Sequence, residues 1–275
     1  MAPEVNKASF SAIENGYITA ASIMVPAPNF EDAARYARKH PDFSWGLHLT
    51  LTSEWNNYRW GPVLGKDKVP TLVDREGFFY QRTDLVDNKA DLNEIEQELR
   101  AQIDLAILNG ISPSHLDTHM YALFDKPELL DIYIKLGIEY HIPILLFPDT
   151  DKEFVGNNEE LNIAWTRALA RLTEAGLPVI NFYDGKNYFT PTSQRKKYIF
   201  SLIENLPVGV SLIALHLAED SEWFSTVTKS SKNRAVDASI AKDTEVLEKL
   251  RKCNVKLISW KDLLKMSRAV SNKND

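Results

Sequence analysis

Apolar positions along the chain alternate between stretches spaced near 3.6 residues and short continuous runs, the pattern of helices interleaved with buried strands. Val5, Ala8, Ala12 and Ile13 recur at helical spacing and Asn15-Gly16 supplies a stop, so the chain opens on a helix. A β-like run over 18–25 is closed by Pro26 and Pro28, and a helix over 30–39 ends at His40-Pro41. The alternation predicts further strands over 45–51, 111–117, 142–147, 177–181, 210–217 and 254–260. Between them it predicts helices over 92–108, 127–136, 161–174, 193–204 and 236–252, then a short helix to Met266.

Strands alternating with helices call for a largely parallel sheet wrapped by helices, either an open doubly wound sheet or a (β/α) barrel. The pattern gives seven strands where a closed barrel has eight, and the opening helix has no strand before it. The expected fold is therefore α/β, a distorted (β/α) barrel lacking its first strand, with an open or incomplete sheet as the alternative. Residues 1–275 read as a single domain. Residues 52–90 break the alternation and carry Trp55, Tyr58, Trp60, Phe78, Phe79 and Tyr80. Such an insertion after a strand falls where parallel barrels build their sites, although a hydrophobic cluster that pins the loop has equal weight. The polar tail from Ser267 is expected to fray.

Composition narrows the function. With 44% hydrophobic and 25% charged residues the chain can bury a full core, which argues against disorder. The net charge of −6 is spread along the sequence with no Lys/Arg block, so nucleic acid is not an expected partner. The longest apolar runs, 18–25 and 210–218, are shorter than the roughly 20 residues of a membrane helix. The single cysteine, Cys253, allows no intrachain disulfide and, without an apolar signal core in residues 1–10, points to the cytoplasm.

Six histidines are present, and His48, the pair His115 and His119, and His216 fall late in predicted strands. In a parallel α/β protein such strand ends converge on one face. In the run His115-Leu116-Asp117-Thr118-His119 the two histidines are four apart, so on an extended backbone they point the same way. Imidazoles at strand ends suit a divalent metal, and Asp117 is placed to orient a ligating ring. His40 reads as a helix cap and His141 as a surface residue. The acidic residues after strands, Glu54, Asp149, Asp151, Asp184, Glu219 and Asp220, have no motif spacing and read mostly as solvated loop charges. No phosphate-binding glycine loop, serine elbow or cysteine pair occurs.

The run from Ala12 to Val25, the Gly46-Leu47-His48-Leu49-Thr50 strand, the Ser114-His115-Leu116-Asp117-Thr118-His119 strand and the late His216 resemble, in order, the YdjC-like family, which includes chitooligosaccharide and hopanoid-associated deacetylases. The resemblance implies a metal-dependent hydrolase that removes acetyl groups from N-acetylated sugars. It implies His48 and His119 as ligands of a divalent ion, Mg or Zn, with His216 and Asp117 as the catalytic candidates. Leu217 stands where the family often has proline after that histidine. Trp55 and Trp60 are the candidate substrate-binding rings, and a homodimer is a candidate assembly.

The family opens on a strand ending in two aspartates, which supply a third ligand and the catalytic base; this sequence begins at Met1, just after where that motif belongs. A late start, a shortened chain or a degenerate paralogue are the readings of that departure. The alternatives to an enzyme with restored aspartates are a non-catalytic carbohydrate-binding barrel that is inactive as written, and an unrelated barrel enzyme using Asp149 or Asp184 in place of His48.

Overall fold

The computed structural model describes residues 1–150 and 152–271. Its first unit is helix α1 (Pro3–Glu14), strand β1 (Ala20–Ile23) and helix α2 (Phe30–Lys39). Proline in the first turn starts α1, and Gly16 at φ 67° leaves it by the left-handed route. Helix α2 buries Phe30, Ala33, Ala34 and Ala37, with Glu31 and Asp32 in its first turn and Arg38 and Lys39 in its last, complementing the helix dipole.

Strand β2 (Ser44–Leu49) leads into the insertion, which contains helix α3 (Thr83–Lys89) and ends at helix α4 (Leu92–Leu108). Asp91 caps α4 by accepting from the backbone N–H groups of Asn93 and Glu94. Strand β3 (Leu116–Thr118), helices α5 (Pro127–Glu139) and α6 (Glu159–Glu174), strand β4 (Phe182–Asp184), helix α7 (Arg195–Glu204) and strand β5 (Ser211–Ile213) follow. Helices α8 (Glu222–Val227), α9 (Ser231–Ala241), α10 (Thr244–Lys252) and α11 (Trp260–Ser271) complete the described chain.

The strands pair in parallel as two separate sheets among the described residues, β1-β2-β3 and β4-β5. The fold is mixed α/β, as expected, but the closed ring of a distorted barrel is not formed by these strands. Three expected strands account for the difference. The 142–147 segment touches β3 only at the Leu116–Ile144 bridge. Pro143 has no N–H to offer there, and the Tyr133 hydroxyl donates to Leu116 O at 2.7 Å while taking the Leu145 N–H at 3.1 Å. The 177–181 strand forms later, as β4. The 254–260 segment is not a strand: Asn254 turns left-handed at φ 55° and Leu257 is half exposed, and the segment makes no ladder with a neighbouring strand among the described residues. The helix expected over 236–252 divides because Asp243 caps a new helix, accepting from Glu245 N–H. Helix α11 carries order through the start of the tail expected to fray, and the rest of that tail lies outside the described residues.

The insertion is pinned. Trp60, Val69, Leu72 and Phe79 are buried, Thr52 bridges Tyr80, and the Glu98 carboxylate accepts from the N–H groups of Val63 and Leu64. Among the described residues no helix is long and apolar enough to cross a membrane.

Gly137 in α5 marks a close approach: a Cβ there would lie 2.4 Å from Ile144 Cγ2 and 3.2 Å from Ile142 O. Gly137→Ala is expected to lower stability by about 1–2 kcal/mol, because overpacking outweighs the gain in helix propensity. A lower urea midpoint with unchanged m value would register it.

Candidate active site

Register and alternation build the site. Ile23 pairs with Leu47 and Leu47 with Leu116, three buried residues on one face of the first sheet. The residues between them turn to the opposite face: Ser22 beside Gly46, and His48 beside Asp117. Carrying the alternation past the end of β3 brings His119 to the same side.

His48 Nε2 lies 3.2 Å from His119 Nδ1, with ring centroids 5.1 Å apart. His48 Nδ1 is 2.6 Å from Asp117 Oδ1, and His119 Nε2 is 2.9 Å from Glu54 Oε2. Asp117 Oδ2 accepts the Ser22 hydroxyl at 2.7 Å. Burial works to raise the Asp117 carboxyl, but the His48 charge and hydrogen bond, with His115 and Ser22, hold it below its ordinary value. Glu54 follows the same logic: burial raises it, while His119 and the nearby Arg234 bring it below the usual range. Both carboxyls are therefore ionised at neutral pH.

Immediately after His119 the chain turns through two left-handed residues, Met120 at φ 52° and Tyr121 at φ 57°. Such conformations cost about 1–2 kcal/mol each without glycine. The turn is tied down by the Tyr121 and Tyr183 hydroxyls, 2.9 Å apart, and by Thr118 Oγ1 accepting from Leu123 N–H at 3.2 Å.

His216 follows β5. Its N–H donates to Asp237 Oδ2 at 2.9 Å, its ring lies 4.5 Å from that of Tyr188, and its Nδ1 is buried without a partner among the described residues. Burial, then the charges of Arg234, His48 and His119, push its pKa well below the ordinary imidazole value, so the ring is neutral at pH 7. Asp237 is itself clamped by Arg195, a pair with no exposed surface, and Arg195 also donates to the carbonyls of Tyr188 and Thr190.

The insertion supplies the wall behind His119. Trp60 lies 6.2 Å from the His119 ring and donates its indole N–H to Thr52 O, while Trp55 packs on Trp60 and Phe224. Both tryptophans are buried, and the Arg234 guanidinium lies 5.5 Å from the Trp55 ring.

The structure brings His48, His119 and Asp117 together. Glu54, read from sequence as a solvated charge, belongs with them, and Ser22 entered the sequence reading only as part of the run from Ala12 to Val25, without a role. The other acids are elsewhere. Asp149 accepts the N–H groups of Glu153, Phe154 and Val155, Asp184 receives the Tyr198 hydroxyl and the Asn187 amide, and Glu219 lies near Lys7. Asp220 faces Ser231, and Asp151 lies outside the described residues. His40 ends α2 with its ring on Tyr36, and His141 is exposed.

The donor set can be tested against a divalent ion. Two imidazole nitrogens 3.2 Å apart match the spacing of neighbouring ligands held about 2.0–2.1 Å from one ion. Each ring is backed by a carboxylate, the usual support for a ligating histidine. Among the described residues, however, no group of three or more His, Cys, Asp or Glu is placed to hold a metal ion. The pair fits as two ligands of a site, not as a complete one.

The site is thus a pair of imidazoles, each backed by a carboxylate, at the ends of parallel strands of an α/β fold. The chain matches the YdjC-like protein family over residues 1–252 and belongs to it. It is 26% identical to a carbohydrate deacetylase of Thermoanaerobacter pseudethanolicus over 261 residues, covering 93% of this chain and 92% of the relative. A carbohydrate deacetylase of Brevibacillus brevis is 35% identical over 140 residues, 51% of this chain and 52% of that protein. A solved Enterococcus faecalis structure, described as a candidate cellobiose-phosphate cleavage protein, superimposes with a TM-score of 0.78 at 22% identity, covering 95% of this chain and 94% of that one. That likeness establishes the shared fold.

Proposed function

We propose that this chain is a carbohydrate N-deacetylase that hydrolyses the acetamide of an N-acetylated sugar at a divalent metal, Mg or Zn, held by His48 Nε2 and His119 Nδ1. The names of its relatives support the reaction. The contact between the two rings carries the site.

Ionised carboxylates only accept, so His48 donates its Nδ1–H to Asp117 and His119 donates its Nε2–H to Glu54. The remaining nitrogens then face each other as two lone pairs 3.2 Å apart, which requires a proton or a cation between them. A divalent ion held by His48 Nε2 and His119 Nδ1 would supply Lewis-acid polarisation of the acetyl carbonyl and activate the attacking water. Asp117 and Glu54 fix the tautomers, so both lone pairs converge without reorganisation. His216, neutral and anchored through its backbone N–H, is suited to donate a hydrogen bond to the oxygen that gains charge as the amide is attacked. Trp55 and Trp60 shield the pair from water on the insertion side.

Purified protein should bind a divalent metal at about one per chain, measured by elemental analysis, and release acetate from N-acetylglucosamine oligomers, with activity lost to a chelator and restored by Zn or Mg. Neither bound metal nor acetate from any N-acetylated oligosaccharide would overturn the proposal.

A second reading, a non-catalytic carbohydrate-binding protein, is favoured by one observation: no three-ligand group occurs among the described residues. Sugar binding that persists without hydrolysis in both the parent protein and His48→Ala would support it.

A further inference from the structure

His115, the first histidine of the His-Leu-Asp-Thr-His run, has no part in the His48–His119 contact, yet it is 3% exposed and surrounded by polar partners. Ser22 pairs with Gly46, and the Leu47 N–H next along β2 donates to His115 O. Ser22 in β1, Gly46 in β2 and His115, the residue before β3, thus lie in a row. A Cβ on Gly46 would fall 2.4 Å from His115 Cε1 and Nε2 and 2.7 Å from Nδ1. The imidazole occupies the space that the missing side chain leaves. Through that gap Nε2 reaches within 3.1 Å of Ser22 Oγ, while the ring stacks on Trp260 with centroids 4.8 Å apart.

Four contacts surround this row: Ser22 Oγ to Asp117 Oδ2 at 2.7 Å, Ser22 Oγ to His115 Nε2 at 3.1 Å, Ser114 Oγ to His115 Nδ1 at 3.0 Å, and Ser114 Oγ to Trp45 O at 3.0 Å. Burial lowers the His115 pKa to about 4, so the ring carries one proton at neutral pH. Two hydroxyl protons and one ring proton must serve four contacts. The shortest contact, to a carboxylate, holds the Ser22 proton because a charge-assisted hydrogen bond is the strongest of the set. Ser22 then accepts from His115 Nε2–H, and His115 Nδ1 accepts from Ser114. The Ser114 hydroxyl proton lies between two acceptors at 3.0 Å, His115 Nδ1 and Trp45 O, and serves both as a shared donor, while the Trp45 carbonyl also takes the Ser114 N–H at 2.6 Å. Protons are therefore ordered in one direction, from Ser114 through His115 and Ser22 to Asp117, whose other oxygen accepts from His48 Nδ1.

We propose that Ser22 and His115 are a positioning pair: they fix the Asp117 carboxylate and, through it, keep the His48 proton on Nδ1 so that Nε2 faces His119. Gly46 is the residue that lets the pair form. The inference rests on the assignment of His48 to the site, but its first readout does not depend on turnover.

The test measures the His48 tautomer by nitrogen-15 imidazole NMR, alongside kcat and KM for acetate release, in Ser22→Ala, His115→Leu, His115→Gln and Gly46→Ala. The parent protein should show the Nδ1–H form of His48. Ser22→Ala, His115→Leu and Gly46→Ala should mix the tautomers and lower kcat on the order of 10-fold with KM little changed, as expected for a support behind a ligating group. His115→Gln, whose amide can donate to Ser22, should restore the single tautomer and most of kcat. Ser22→Ala removes one oxygen and is the variant best placed to stay folded. An unchanged His48 tautomer and unchanged kcat in folded Ser22→Ala would overturn the inference. If the protein releases no acetate, the proposed function fails and the tautomer measurement alone decides this one.

Discussion

Replacing His119 by alanine is expected to reduce acetate release by a factor on the order of 10² or more, a larger loss than any change behind the rings should bring. The substitution removes the nitrogen that faces His48 and strips Glu54 of its partner at 2.9 Å. An unpartnered, largely buried carboxylate costs about 1–3 kcal/mol, so a lower melting temperature should accompany the lost turnover. His48→Ala should match the activity loss and leave Asp117 Oδ1 without its partner, with only the Ser22 hydroxyl still on the other oxygen. Activity within a few-fold of the parent in either folded variant would remove the ring pair from the reaction.

The second large effect is expected at a distance from that pair. Arg195 and Asp237 form an ion pair with no exposed surface, and Arg195 also holds the Tyr188 and Thr190 carbonyls. Burial pushes the Asp237 carboxyl up, against the His216 N–H and the Arg195 charge that stabilise its ionised form. Arg195→Met leaves that acid buried without its cation and should cost about 3–5 kcal/mol, read from urea unfolding. Arg195→Met combined with Asp237→Leu should recover much of the stability, since an apolar pair of similar size escapes the desolvation penalty. It should not recover kcat, because the anchor on the His216 N–H is gone. Full activity in the double variant would show that His216 needs no such anchor.

Much of the first sheet was legible in the sequence because its signals are local. Alternation over Gly46 to Thr50 and over His115 to His119 places His48, His115, Asp117 and His119 on one face, and the strands pair in the register that sets His48 against Asp117. Helices α1, α2 and α4 to α7 were legible for a similar reason: each has an apolar stripe or an end signal within its own residues, whereas α3 lies in the insertion that showed no periodicity. The closed barrel was not a local question. Whether 142–147 extends the sheet depends on Pro143 and on a tyrosine hydroxyl from α5, and neither shows in the hydrophobic pattern of the strand itself.

The site was misread where a long loop returns. Glu54 lies 65 positions before His119, in a segment without periodicity, so nothing nearby tells it apart from a solvated acid. Its role follows from the packing of Trp55 and Trp60, which carries the loop back over the strand ends. Burial of those two rings also shows that an aromatic-rich insertion can be a wall and need not be an open platform.

The side-by-side seating of His48 and Asp117 has a consequence for how such a protein can vary. Their contact is fixed by adjacent rungs of one ladder, not by the conformation of any connecting segment. Residues 52–90 could therefore lengthen, shorten or be exchanged, changing what covers the strand ends, while the two groups keep their spacing. A single residue gained or lost inside β2 or β3 would do the reverse, turning one partner to the far side of the sheet and breaking the contact while leaving the loop unaltered.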